Sequence, residues 1–327
     1  MSTSFVEADH PRARSGEFVD KANSAPVDTL AAVSTANPLA RRFDTVEEKV
    51  EAMRAELEAG VDALAEDENW QRHLQVMSKF HRYSFNNQML IGIQCPEATR
   101  VAGFKVWKSL GRNVMKGQKA IAILAPKVVT KKDPDGLIET DEAGRPIKRV
   151  VGFTIASVFD VSQTEGEDLP KVYEELSEEP PEGFIADLEA AIAATGYTVE
   201  YRKTGDSSLG FTSPSSKTVV VDPDLSPGTR ATTLAHELGH IRCGHLERLD
   251  EYHTGHAGHR GAMEVEAESF SYVLSRMNGL ATNLKPASEY VAGWSTREPE
   301  ALRESGETLQ KAIKATVGES GWSNVVE

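Results

Sequence analysis

Apolar positions first fall into register at Thr45. Val46, Val50, Met53, Leu57, Val61 and Leu64 recur at spacings of three and four, which places them on one stripe of an α-helix. Asp44 and Thr45 supply the start signal, and Glu47 and Glu48 put negative charge in the first turn, where the helix dipole favours it. Further helices are predicted over 70–81, over 86–93 before Pro96, and over 104–110, where Gly111 ends the run. The period then changes. Residues 120–129 and 149–161 are apolar, β-rich runs, and the polar insert between them carries Asp-Pro-Asp-Gly and Gly-Arg-Pro turn chemistry, so a long hairpin is predicted. Beyond it the pattern predicts helices over 184–194, 229–244, 262–277 and 299–316, with strands over 197–202 and 217–221.

Residues 1–42 mix Ser, Ala, Pro and scattered charge without periodicity and read as a disordered leader. The stretch 160–182 holds nine acidic residues, one lysine and three prolines, the composition of a solvated linker. The expected organisation is therefore a leader to 42, an N-terminal domain over 43–164, an acidic linker over 165–182, a second domain over 183–317 and a tail over 318–327. Both domains mix helices with short strands, so the fold class is α+β, the first domain built of helices plus a β-hairpin or small sheet. No stretch approaches the ~20 apolar residues a bilayer span requires. The N-terminus lacks a signal-peptide core, and two distant cysteines make no disulfide framework, so a cytoplasmic location with no membrane partner is expected.

Charge alters this picture. The 327-residue chain has a formal net charge of −14, which taken as a single number argues against a nucleic-acid partner. The charge is not evenly spread. Residues 70–132 contain twelve Lys and Arg against the single acidic Glu97, leaving 24 basic and 49 acidic residues for the rest. Six aromatics lie inside this block: Trp70, Phe80, Tyr83, Phe85, Phe104 and Trp107. Basic side chains with interleaved rings suit single-stranded nucleic acid, because phosphates pair with the charges and bases stack on the rings. Phe80, Phe85 and Phe104 read as core. Trp107, between Lys105 and Lys108, is the candidate stacking platform, and Arg82, Lys105, Lys108, Arg112, Lys116 and Lys119 are the candidate phosphate contacts. Duplex DNA stays open, although no helix-turn-helix, zinc-finger or basic-zipper signature occurs.

The sharpest motif is His236-Glu237-Leu238-Gly239-His240. Helical residues four apart differ by about 40° around the axis, so both imidazoles face one way. Two His and a third ligand leave a position open for water on zinc, and Glu237 is the candidate general base for that water. In the next helix Glu264 and Glu268 share a face. Glu264 is the expected third ligand, and Glu268, one turn on, is placed to accept the free N–H of a ligand His. Glu266 is expected to face solvent, and Cys243 to be packing. His245 falls on the opposite side from His236 if the helix continues, so no ligand role is expected for it. Tyr252, His253, His256 and His259 are equal candidates for a transition-state donor from the Gly-rich loop.

These features together resemble the ArdC antirestriction family. The N-terminal likeness lies in Tyr83-Ser84-Phe85-Asn86-Asn87-Gln88-Met89-Leu90-Ile91, in Val101 to Phe104 with Trp107, in Leu110-Gly111-Arg112 with Lys116-Gly117, in 121–126, and in Val158-Phe159-Asp160-Val161-Ser162-Gln163-Thr164. The C-terminal part is similar to ImmA/IrrE-type gluzincin peptidases through 236–240, Glu264 with Ala267 and Glu268, and 290–294. The resemblance implies a single-stranded-DNA-binding domain followed by a zinc metallopeptidase domain whose third ligand falls on Glu264. It implies antirestriction for a mobile element or its bacterial host, acting on an unknown protein substrate. Two further readings compete: a non-catalytic single-stranded-DNA-binding protein with a structural or vestigial zinc, and a regulatory peptidase that cleaves a repressor. Glu237 speaks against the first, since a structural site has no use for a base beside the metal.

Overall fold

The computed structural model describes residues 37–132, 137–141, 144–167, 178–204, 208–248, 259–282 and 299–319. Most of the expected leader, 168–177 of the acidic stretch, and 320–327 of the tail lie outside the described residues. The chain is already packed at Leu39, which is 3% exposed, before the start expected at 43.

Helix α1 (Val46–Ala63) begins where Thr45 accepts a hydrogen bond from the Glu48 amide at 3.0 Å, and its stripe buries Met53, Leu57 and Val61. Helix α2 (Asp67–Phe80) and helix α3 (Phe85–Gln94) follow, the latter capped by Ser84. The short strand β1 (Val101–Ala102) leads into helix α4 (Phe104–Ser109) and strand β2 (Arg112–Val114). Strands β3 (Ile121–Thr130) and β4 (Lys148–Asp160) form the expected hairpin, antiparallel with a register shift between Pro126 and Val128. β1 pairs with β4, and β2 pairs with β5 (Thr164–Gly166).

Side-chain amides on α3 hold the sheet. Asn87 both donates to the carbonyl and accepts from the amide of Leu124, each at 2.9 Å. Gln94 does the same to Ala122 at 2.8 and 2.9 Å. Each amide thus satisfies a backbone donor and acceptor on the free edge of β3, as a neighbouring strand would. At the other end Asp160, 1% exposed, accepts from the amides of Thr99, Arg100 and Ser162. The Asn-rich string and the FDVSQT string that carried the resemblance are therefore the joints of this domain.

After the acidic stretch come helix α5 (Phe184–Ala194), strand β6 (Thr198–Tyr201), strand β7 (Gly210–Ser213), strand β8 (Thr218–Val221) and helices α6 (Pro227–Arg242), α7 (His259–Met277) and α8 (Pro299–Glu319). β8 lies between β6, parallel to it, and β7, antiparallel, so β7 is an edge strand. The observed class is the expected mixture of helices and small sheets. One apolar core joins Met53, Leu57, Leu74 and Phe85 to Leu234, Leu238, Phe270, Leu309 and Ile313, from both sides of the acidic stretch. Trp70 donates its indole N–H to Ser269 on α7 at 3.0 Å, and Gln310 on α8 donates to the Tyr83 carbonyl at 3.0 Å. Gly306 lies so close to the Phe85 ring that a Cβ there would stand 2.2 Å from it. Among the described residues no helix is long and apolar enough to cross a membrane.

Candidate functional site

Helix α6 starts cleanly because Ser226 accepts from the Thr229 amide and Pro227 takes the first turn, where no N–H is needed. Inside the HExxH string, Gly239 faces α7. A Cβ there would stand 3.0 Å from Ala267 Cα and 3.1 Å from its carbonyl oxygen, so only glycine lets the two helices cross this closely. Ser271 Oγ donates to the Thr232 carbonyl at 2.9 Å and ties the pair further. α6 and α7 form a fixed platform on which side chains from both helices meet.

His236 Nε2 and His240 Nε2 stand 3.0 Å apart. Glu264 Oε2 lies 3.4 Å from the first and 3.8 Å from the second. Two ligands at 2.0–2.1 Å from a tetrahedral ion stand about 3.3 Å apart, so the three donors fit one ion as they are placed. Glu268 Oε2 is 3.2 Å from His236 Nδ1, placed to accept its ring N–H. Burial is the largest influence on His236 and opposes its charged form. The carboxylates of Glu264, Glu268 and Glu237 outweigh burial and raise its pKa to about 10.

Glu237 is 7% exposed, and its Oε2 accepts from the Thr212 hydroxyl at 2.6 Å. Thr212 sits on β7, an element that the sequence pattern did not reveal. The four residues Gly210–Ser213 are too short to establish alternation, and they become a strand only through pairing with β8. A cavity of about 300 Å³ opens beside Glu268, bordered by Thr232, Ser271, Tyr272 and Thr282.

Two expectations on this side of the site are corrected. Glu266 does not face solvent: it is 7% exposed, 2.9 Å from His245 Nε2 through Oε2 and 2.5 Å from the Ser305 hydroxyl through Oε1. α8 covers the face that would otherwise be wet. His245 is not carried away from the site, because α6 stops at Arg242 and Gly244 adopts φ 75°. The chain reverses, and His245 Nδ1 comes within 3.0 Å of His240 Nδ1. A glycine directly after a helical run is the signal for that stop. Cys243 is buried packing as expected, and burial, then Glu266, pushes its thiol pKa up. Tyr252, His253, His256 and the side chain of His259 lie outside the described residues.

In the basic block, Lys105, Lys108, Lys116, Lys119 and Arg82 are exposed. Phe80 and Phe85 are buried as expected, but two rings of the block, Trp107 and Phe104, are placed otherwise. Trp107 is fully buried and donates its indole N–H to the Phe159 carbonyl at 2.8 Å, so it has no face on which a base could stack. Phe104, expected in the core, is 54% exposed, and Phe153 on β4 is 64% exposed. Arg112 is committed internally: it donates to the hydroxyl and carbonyl of Thr164 and to the Glu167 carbonyl, holding β2 to β5.

Comparison with known proteins follows the same division. Residues 41–159 match the family model for the N-terminal domain of anti-restriction factor ArdC, and residues 194–281 match that for the IrrE N-terminal-like domain. An uncharacterized protein of Bacillus anthracis is 25% identical over 268 residues, covering 72% of this chain. The alignment covers only 44% of that relative's own length. The crystal structure of the metal-free antirestriction ArdC protein from the R388 plasmid is 20% identical, with a TM-score of 0.47 over 72% of this chain and 84% of that one. Its Mn(II)-bound counterpart gives 21% and 0.46. The chain thus carries an ArdC-type N-terminal domain followed by an IrrE-like domain, as the sequence resemblance implied.

Proposed function

We propose that this chain is a zinc-dependent peptidase joined to a single-stranded-DNA-binding domain, an antirestriction-type protein of a mobile element or its bacterial host that works in the cytoplasm. The observation that carries the reading is the convergence of three donor atoms beside a buried, oriented carboxylate. His236, His240 and Glu264 would hold the ion, a His and carboxylate set suited to zinc. When bound, the ion supplies Lewis-acid polarisation of the scissile carbonyl. The chain does the rest. Glu237 takes the proton of the attacking water and delivers it to the leaving amine. The Thr212 hydroxyl fixes one oxygen of that carboxylate, leaving the other for the water. Glu268 holds the His236 ring in the ligating tautomer.

Titration with zinc, and with manganese as a second ion, tests the site. One ion per chain is expected in the wild type and none in His236→Ala. A wild-type protein that takes up no more ion than the variant sinks the metal reading.

The DNA half rests on the exposed lysines of an otherwise acidic chain, with Phe104 and Phe153 as the exposed rings in place of Trp107. Fluorescent single- and double-stranded oligonucleotides across a salt series give the check. Tighter binding of the single strand, with log affinity falling linearly against log salt, is the expected result. No binding at low salt, or a preference for duplex, counts against it.

A further inference from the structure

We propose that His245, Glu266 and Ser305 form a hydrogen-bonded relay that positions His240 for metal binding; the inference rests on the metal reading above. The relay is a row of contacts with one consistent set of protons. His240 presents Nε2 to the ion position, so its ring proton belongs on Nδ1. That N–H donates to His245 Nδ1, 3.0 Å away. His245 then carries its own proton on Nε2 and donates it to Glu266 Oε2 at 2.9 Å. The second carboxylate oxygen accepts the Ser305 hydroxyl at 2.5 Å. Reversing the first bond would put the His240 proton on Nε2 and block the ligating lone pair. The anionic end of the relay therefore selects the tautomer that the site needs.

His245 and Ser305 are 1% and 4% exposed, so water does not compete for these bonds. Three elements contribute. His245 comes from the turn after α6, Glu266 from α7 and Ser305 from α8, which is wedged against the N-terminal helices at Gly306. A ligating histidine usually gives its second N–H directly to a carboxylate or carbonyl; here a second imidazole stands between. His236 uses the direct form with Glu268, so the two ligands are oriented by different means. His245, Glu266 and Ser305 are positioning residues acting through His240.

Zinc affinity of the full chain, measured by chelator competition, reads the relay. Histidine-ring nitrogen shifts of the metal-free protein give its tautomers independently. His245→Ala and Glu266→Ala are expected to weaken zinc roughly 10- to 100-fold. Glu266→Gln keeps an acceptor oxygen for His245 but loses the charge that selects the tautomer, so it is expected to recover only part of that loss, with Ser305→Ala closer to wild type. The wild-type ring of His240 should be protonated at Nδ1. Unchanged affinity in both alanine variants overturns the relay, as does a His240 proton on Nε2. If the alanine variants do not fold, the tautomer of the wild type and of Ser305→Ala decides. A second bound ion per chain, lost in Cys243→Ala, also overturns it, because Cys243, His245 and Glu266 would then be ligands themselves. Failure of the metal reading would show differently: no zinc in the wild type, with the tautomer pattern intact.

Discussion

Glu237→Gln is expected to slow peptide hydrolysis by the zinc-loaded protein about 10²- to 10⁴-fold, the range that a lost general base costs, while zinc binding stays as in the wild type. The substitution is nearly isosteric. The amide oxygen it introduces can still accept from Thr212, so the buried position at the start of the ligand turn keeps its partner. What disappears is the proton acceptor. Glu237 is not among the three donors that meet at the ion position, so affinity should not follow activity. Initial rates on a library of internally quenched peptides, with zinc stoichiometry on the same samples, separate the two. A wild type no faster than the variant would replace the enzyme with a binding protein that keeps a structural metal. A phenotype that survives the substitution in cells would show that protection of incoming DNA does not need hydrolysis.

The second large effect concerns pH. His73 and His81 are 5% and 4% exposed on and just after α2, and His73 Nε2 and His81 Nδ1 have no hydrogen-bond partner among the described residues. Burial lowers the pKa of His73 to about 4; burial and then neighbouring Arg82 lower that of His81 to about 4 as well. Above pH 6.5 both rings are neutral in folded and unfolded chains and contribute nothing. Between 6.5 and 4 the unfolded chain takes up protons that the folded one refuses, so stability falls as pH falls. At pH 5 the loss is about 2 kcal/mol for each ring. Two such losses are a large part of the roughly 5–15 kcal/mol that holds a typical domain. Urea midpoints at about pH 7.5 and pH 5 should show it. His73 sits 5.0 Å from the Phe85 ring in an edge-on contact, so phenylalanine is a reasonable replacement. His73→Phe should lose about 2 kcal/mol less stability on acidification than the wild type. Equal losses in variant and wild type would remove His73 from the account.

Spacing within one helix is a local property, and it is legible in the sequence. His236 with His240, and Glu264 with Glu268, follow from 3.6 residues per turn whatever surrounds them. The α1 stripe, the hairpin and the late helices are legible for the same reason. Helix α4 is six residues long, less than two turns, and so short a run cannot distinguish its inner from its outer face. Phe104 and Trp107 accordingly exchange their expected places, and it is the Phe159 carbonyl across the sheet that claims the indole. Glu266 lies where the sequence does not put it, because a charged residue in a helix is solvent-facing by default and only α8, some forty residues later, covers it.

What the sequence determined by itself is therefore the chemistry in short range: a basic block inside an acidic chain, two imidazoles on one face, a base beside them and a carboxylate pair on the next helix. What the tertiary structure decided is which of these groups meet and what holds them. The approach of α6 to α7 at Gly239 brings Glu264 to the histidines. The pairing of β7 with β8 delivers the Thr212 hydroxyl to Glu237. The turn at Gly244 and the packing of α8 bring His245, Glu266 and Ser305 into line behind His240. Helical periodicity is set by backbone geometry within a few residues. Contacts between residues tens of positions apart are set by how separate elements pack, and no local pattern encodes them.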